Sequence, residues 1–190
     1  MTRKLFIEGV NPDSRACFGW QDISTGLYGI KEGYYNSAIE LVDIALKNGG
    51  NGRVDVLDQY VFPIVFLFRH SIEASIKLVY FRVKGRIALG GHDLINLWNN
   101  LYNDIINSTD YPSILSSLSY VNFNGIKDLL SEFNNVDKGS DVFRYLIDNK
   151  ARKYFTQQKF IDYSNLKETM DYLYSNFGAI YHTIDEMFSA

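Results

Sequence analysis

Three clusters of charged and aromatic residues in this 190-residue sequence have the types and spacing that chemistry requires. The densest holds Arg69, His70, Glu73 and Lys77 within an otherwise apolar stretch. Arg69, Glu73 and Lys77 are four apart, so on a helix they form one stripe of alternating charge, while Ile72, Ile76, Val79 and Val83 form the opposite, core-facing stripe. Such a stripe serves either as a solvated ladder of ion pairs, each worth a few tenths of a kcal/mol, or as a buried network that fixes helix register. The second cluster is Gly91-His92-Asp93-Leu94, ahead of Leu97 and Trp98. His92 and Asp93 sit where a helix begins, so Asp93 can offset the positive helix end and His92 can cap it. In the third, Arg144 and Tyr145 follow Asp141 and Phe143; an arginine beside aromatics stacks on them, and its planar fork also suits phosphate.

These residues need helices to hold them. Residues 1–33 contain Gly9, Gly19, Gly26, Gly29, Gly33 and Pro12 without a sustained period, which predicts an irregular arm. Apolar residues keep helical spacing from Tyr34 to Lys47, and Asn48-Gly49-Gly50-Asn51-Gly52 predicts the stop. A helical stretch follows over 54–83, with Pro63 as the expected boundary between two segments. His92–Ile106 reads as an amphipathic helix, a short helix is expected across 113–119, and another follows Gly125. Ser164 is the expected cap of a last helix, in which Leu166, Met170, Leu173, Phe177, Ile180, Ile184 and Met187 alternate steps of four and three. That heptad seam suits either a bundle or a dimer. The expectation is one all-α domain: an antiparallel bundle over 34–190, an irregular arm over 1–33, and little or no sheet.

Composition narrows the partners. Nineteen Lys plus Arg against 22 Asp plus Glu leave a net charge of −3, so nucleic-acid binding requires a local patch. Cys17 is the single cysteine, which excludes an internal disulfide and fits a reducing cytoplasm. The basic start meets Glu8 and Asn11 before an export signal can form, and the longest apolar run, 61–68, is far below the roughly 20 residues that span a bilayer. The three histidines, His70, His92 and His182, lack metal-ligand spacing; no phosphate-cradling loop or nucleophile elbow is present, and no metal or cofactor is expected.

In order and spacing, Arg69 to Lys77, then Gly91-His92-Asp93-Leu94 with Leu97 and Trp98, then Asp137 and Ser140 ahead of Phe143-Arg144-Tyr145, resemble the bacterial HEPN-like helical domains over about residues 55–150. Leu146 stands where that pattern has proline, and Ile76 where it has leucine. The resemblance implies an antiparallel four-helix core, frequently a homodimer, with roles in stress, toxin–antitoxin or antiphage systems. RNA cleavage without a metal, or binding of RNA or a nucleotide, is the activity it implies. Ribonuclease members carry an arginine followed after four to six residues by a histidine, and Arg86 and His92, separated by five, fit that spacing. The implied catalytic set is Arg86, His92 and Arg144, with Arg69, His70, Glu73, Lys77, Asp93 and Tyr145 as substrate contacts. Arg69 with His70, and Arg144 with His92, are alternative pairings. An arginine would offset charge developing on the scissile phosphate while a histidine moved the proton of the 2′-hydroxyl. Two rivals remain: a non-catalytic interaction module with a protein partner, in which Arg69, Glu73 and His92 are internally paired, and a nucleotide-binding companion of a nucleotidyltransferase.

Overall fold

A computed structural model describes residues 9–189, which contain seven α-helices and no strand. Helix α1 (Ile23–Gly50) and α2 (Val54–Lys84) form a long antiparallel pair joined by three residues; α3 (Leu94–Leu101), α4 (Pro112–Ser117), α5 (Phe123–Val136) and the four-residue α6 (Val142–Tyr145) follow, and α7 (Tyr163–Ser189) closes the bundle. Among the described residues the all-α expectation holds.

Helix α1 begins eleven residues earlier than the glycine pattern suggested. Asp22 accepts the Thr25 amide at 2.7 Å, and this cap starts a helix that carries through Gly26, Gly29 and Gly33. The energetic cost of those glycines is offset by tertiary packing lower in the helix, where Ala38, Val42 and Ala45 are fully buried. The irregular arm is thus confined to 9–22 within the described residues, and the part of it over 1–8 lies outside them. The glycine cluster does end α1: Gly52 takes φ +79°, and the Arg53 amide returns to the Asn48 carbonyl at 3.0 Å.

Pro63 does not divide α2. The helix continues from Val54 to Lys84, and Pro63 sits on its exposed side, where the carbonyl one turn back is open to water. Gly85, at φ +64°, terminates it in the left-handed region. Helix α7 is capped by Asp162, whose side chain accepts the Asn165 amide at 2.9 Å, and Ser164 lies inside the first turn.

The core is one continuous cluster. Ile64, Phe68, Ile72, Ile76 and Val79 of α2 meet Ala38, Val42 and Ala45 of α1, Leu94, Leu97, Trp98 and Leu101 of α3, Ile126 and Leu130 of α5, and Met170, Leu173, Phe177, Ile180 and Ile184 of α7. The heptad seam of α7 is therefore filled from within the same chain. Helix α3 runs into a π-helical turn, Tyr102–Ile106, that keeps Ile105 and Ile106 buried.

A clasp between α1 and α7 was not foreseen from the sequence. Tyr35 and Tyr174 stack with ring centroids 3.7 Å apart; Tyr35 donates to Asp171, Tyr174 donates to Glu32 at 2.5 Å, and the buried Lys31 ammonium lies 4.3 Å from the Tyr174 ring centre. Burial and the neighbouring carboxylates push both phenols upward, so both stay protonated donors. Phe177→Ala should remove about 3–5 kcal/mol of stability, because its ring packs edge-on to Trp98 with no solvent to refill the space; urea unfolding followed by circular dichroism measures this.

Candidate functional site

The first stripe of charge is buried. Arg69, wholly inaccessible, extends from α2 into the space between two loops. Its Nε donates to the Asp137 carbonyl at 3.0 Å, Nη1 to Glu73 Oε2 at 3.2 Å, and Nη2 to the carbonyls of His92 and Lys138. Three of its four partners are main-chain oxygens in the loops entering α3 and α6. A planar five-donor fork can reach such scattered acceptors, which an ammonium cannot. Burial pushes the Arg69 guanidinium's pKa down while Asp137 and Glu73 push it back up.

Glu73, one turn along α2, gathers three nitrogen partners. Arg69 takes one oxygen, Lys77 takes the other at 2.6 Å, and His92 Nδ1 lies 3.0 Å from both. Burial raises the carboxyl's pKa, but the hydrogen bonds from Lys77 and His92 outweigh it and hold Glu73 below the ordinary range. An ionised Glu73 accepts from Nδ1–H of His92, which fixes the ring and leaves Nε2 turned away from it. His92 keeps about half of its side chain exposed. Asp93 accepts the Asn96 amide at 3.0 Å and so caps α3, as its position suggested; it also pairs with Lys138. His92 is no cap, because its ring faces Glu73.

His70 lies beside this pair. Its ring centroid is 6.4 Å from that of His92, 4.1 Å from Phe66 and 5.5 Å from Tyr34, which meets it edge-on from α1. Nδ1 donates to the Phe66 carbonyl at 3.0 Å, again leaving Nε2 free of that bond, and burial pushes its pKa below the usual histidine value. Arg144 approaches from α6, with its guanidinium 5.9 Å from the Phe66 ring centre and 5.1 Å from that of Tyr145, held by the Ser140 carbonyl and Asp141. Tyr145 is largely exposed.

The α6 loop owes its shape to Asp137. Its buried carboxylate accepts the amides of Asp141 and Val142, and Ser140 turns the chain at φ +64° with its buried hydroxyl unpartnered. In the sequence Asp137 and Ser140 are visible only as part of a pattern; their role as scaffold of Arg144 depends on backbone geometry.

Arg86 stands elsewhere. It lies over the Tyr80 ring at 5.4 Å, and Tyr80 is two helical turns, about 10 Å, along α2 from the Glu73 that holds His92. Of the implied catalytic residues, the structure assembles His92 and Arg144 around His70 and Phe66, with Glu73, Asp93, Tyr145 and Lys77 nearby, and leaves Arg86 outside; Arg69 lies beneath as support. Among the described residues, no group of three or more His, Cys, Asp or Glu is arranged to hold a metal, and no helix is long and apolar enough to cross a membrane. No family model, no curated protein and no solved structure matches the chain.

Arg69→Ala should cost about 3–5 kcal/mol, because it leaves Glu73 and three loop carbonyls without their buried partner, and Arg69→Lys should recover only part; urea midpoints read both. Stability should also fall on acidification in two limbs. The depressed pKa of His70 means that the unfolded chain takes up its proton first, so stability present above about pH 6.5 is lost below it; the depressed Glu73 adds a second loss below pH 4.5. In a series of urea midpoints against pH, His70→Gln should flatten the first limb and leave the second.

Proposed function

We propose that this chain is a HEPN-like, RNA-directed protein of a bacterial defence or toxin–antitoxin setting, and that it engages a phosphodiester at the His70, His92 and Arg144 face. The observation that carries this reading is the pairing of two imidazoles, 6.4 Å apart, each tethered through Nδ1 and each with Nε2 turned from its tether, beside an arginine. That spacing suits one phosphate between the two rings. His70, kept neutral by burial, would accept the 2′-hydroxyl proton from the sugar; the 2′-oxygen would attack phosphorus, and His92, with Glu73 stabilising its charge, would deliver a proton to the departing 5′-oxygen. The products would be a 2′,3′-cyclic phosphate and a 5′-hydroxyl. Arg144 and Lys138 would offset phosphate charge in a chain whose net charge of −3 supplies no general attraction.

The internal pairing of Arg69, Glu73 and His92 favours a second reading, a non-catalytic interaction module in which the network only holds loops in place. Incubation of the protein with a mixed RNA pool in chelator separates the two. The RNA reading expects cleavage that His92→Ala or His70→Ala lowers about 10²–10⁴-fold, Arg144→Ala weakens through RNA affinity, and Arg86→Ala leaves nearly unchanged. RNA neither cut nor retained by the folded protein, or cleavage indifferent to both histidines, would overturn it and leave the module.

A further inference from the structure

The chain between Arg144 and Phe160 carries a charge unlike the rest of the molecule. Arg144, Lys150, Arg152, Lys153 and Lys159 stand against Asp148 alone, a net +4 in a chain whose total is −3, which leaves −7 for all other residues. Its first part is a short hairpin. Ile147 and Lys153 form an antiparallel bridge, the Asp148 amide donates to the Arg152 carbonyl at 2.9 Å, and the Tyr154 amide donates to the Leu146 carbonyl at 3.1 Å. The Asp148 carboxylate closes the turn, accepting the amides of Lys150 and Arg152 at 2.8 and 3.0 Å and the Arg152 Nε at 2.7 Å. This fixed hairpin leaves Lys150, Arg152 and Lys153 exposed. Where it meets α6, Tyr145 and Tyr154 line a cleft of about 730 Å³ together with Asp141, Asp148 and Asn149. Tyr145 is 59% and Tyr154 37% exposed, and the Arg144 guanidinium lies 5.1 Å from the Tyr145 ring centre.

We infer that this hairpin is a binding element for single-stranded RNA, with one unpaired base in the Tyr145 and Tyr154 cleft and the flanking phosphates on Lys150, Arg152 and Lys153. The inference rests on the RNA reading of the His70, His92 and Arg144 face and extends it along the strand. Arg152, Lys153 and Tyr154 lie beyond the stretch that resembles the HEPN-like domains, so the resemblance does not assign them. Charge separates the two parts of the element. The Asp141 and Asp148 carboxylates repel a phosphate from the cleft, whereas a neutral base brings N–H donors for carboxylate oxygens and the Asn149 carbonyl to accept. Every base also has a π-face that stacks on a tyrosine ring, and cations beside such rings track the sugar–phosphate backbone. A duplex keeps its bases stacked inside and its major groove deep and narrow, so it could not use the cleft. With −7 elsewhere on the chain, the hairpin is where a polyanion meets least repulsion. Arg144 joins this element to the histidines: it lies 5.9 Å from the centre of the Phe66 ring on which His70 packs, so a strand seated in the cleft continues to the His70 and His92 pair.

Fluorescence anisotropy with a short, labelled 2′-O-methyl RNA of mixed sequence, which has no free 2′-hydroxyl and cannot be cut, reads binding apart from cleavage. The parent chain should bind the single strand at least about 10-fold more tightly than its duplex. Lys150→Glu with Lys153→Glu should weaken binding about 10-fold or more and flatten the plot of log affinity against log salt by about 1.4, two phosphate contacts at about 0.7 each. Tyr145→Ala and Tyr154→Ala should each weaken it about 5- to 100-fold through lost stacking, and Tyr154→Phe should restore it. All should keep the helical circular dichroism of the parent, because the hairpin's own bonds run through Asp148, Arg152 and the main chain. A parent that binds and cuts RNA while these variants match it in affinity and salt slope would overturn the hairpin alone and leave the histidine face standing. A parent that neither binds nor cuts RNA would overturn both. Equal affinity for the duplex, or displacement of the strand by polyglutamate as readily as by unlabelled strand, would mark a general anion or acidic-protein surface and overturn the inference as well.

Discussion

Much of this molecule depends on a single buried guanidinium. Arg69 is inaccessible to water, and a charge in that position is tolerated only when its donors are matched. Glu73 supplies the opposite charge, and the carbonyls of His92, Asp137 and Lys138 supply the rest. Each of those carbonyls lies within a few residues of a side chain of the candidate site: His92 itself, Lys138, and Arg144 through Asp137 and Ser140. The arginine thus converts the rigidity of α2 into fixed positions for two loops that have no regular structure of their own. The loops could not be remodelled independently, because a shift of either one would expose an unpaired donor in the interior.

Glu73 performs a related task at the surface of that network. It is the point where the buried charge meets the solvent-facing imidazole, and its ionised state links the two. If it were protonated, Arg69 would keep only the Asp137 carboxylate as counter-charge, and His92 would lose its ionised acceptor at the same time. The Tyr35, Tyr174, Asp171, Glu32 and Lys31 clasp is separate from this network and serves α1 and α7 alone. Two polar assemblies therefore brace the apolar core, one holding loops and the other holding helices.

The periodic elements were legible in the sequence because their signal is local. The apolar spacing of α2, α3, α5 and α7, the Asp93 cap and the glycine stop after α1 each follow from residues within one or two turns. The errors arose where tertiary packing overrules local preference. Gly26, Gly29 and Gly33 argued against a helix that the Asp22 cap and the buried Ala38, Val42 and Ala45 nevertheless sustain, and Pro63 argued for a break that its exposed position makes unnecessary. In the site, the stripe of Arg69, Glu73 and Lys77 was visible, but its burial was not, since the residues that cover it lie far along the chain. The approach of His70 to His92 depends on how α3 docks on α2, and no spacing in the sequence encodes it. Arg86 shows the reverse case: the spacing to His92 was suggestive, yet the intervening Gly90 and Gly91 turn the chain and the two side chains find different neighbours.

The Arg69 staple also has a kinetic side. The α1–α2 hairpin is made of contacts close in sequence and can form early, whereas Arg69 reaches partners 23 to 69 residues away, and the clasp joins residues 136 and 142 apart. Loops of that length close late. During synthesis the α2 face bearing Phe68, Ile72 and Ile76 must therefore wait, uncovered, until α7 emerges, and the histidine face becomes ordered only as the bundle closes. A protein released before α7 is complete would therefore expose its apolar α2 face to other chains before its histidine face had taken shape.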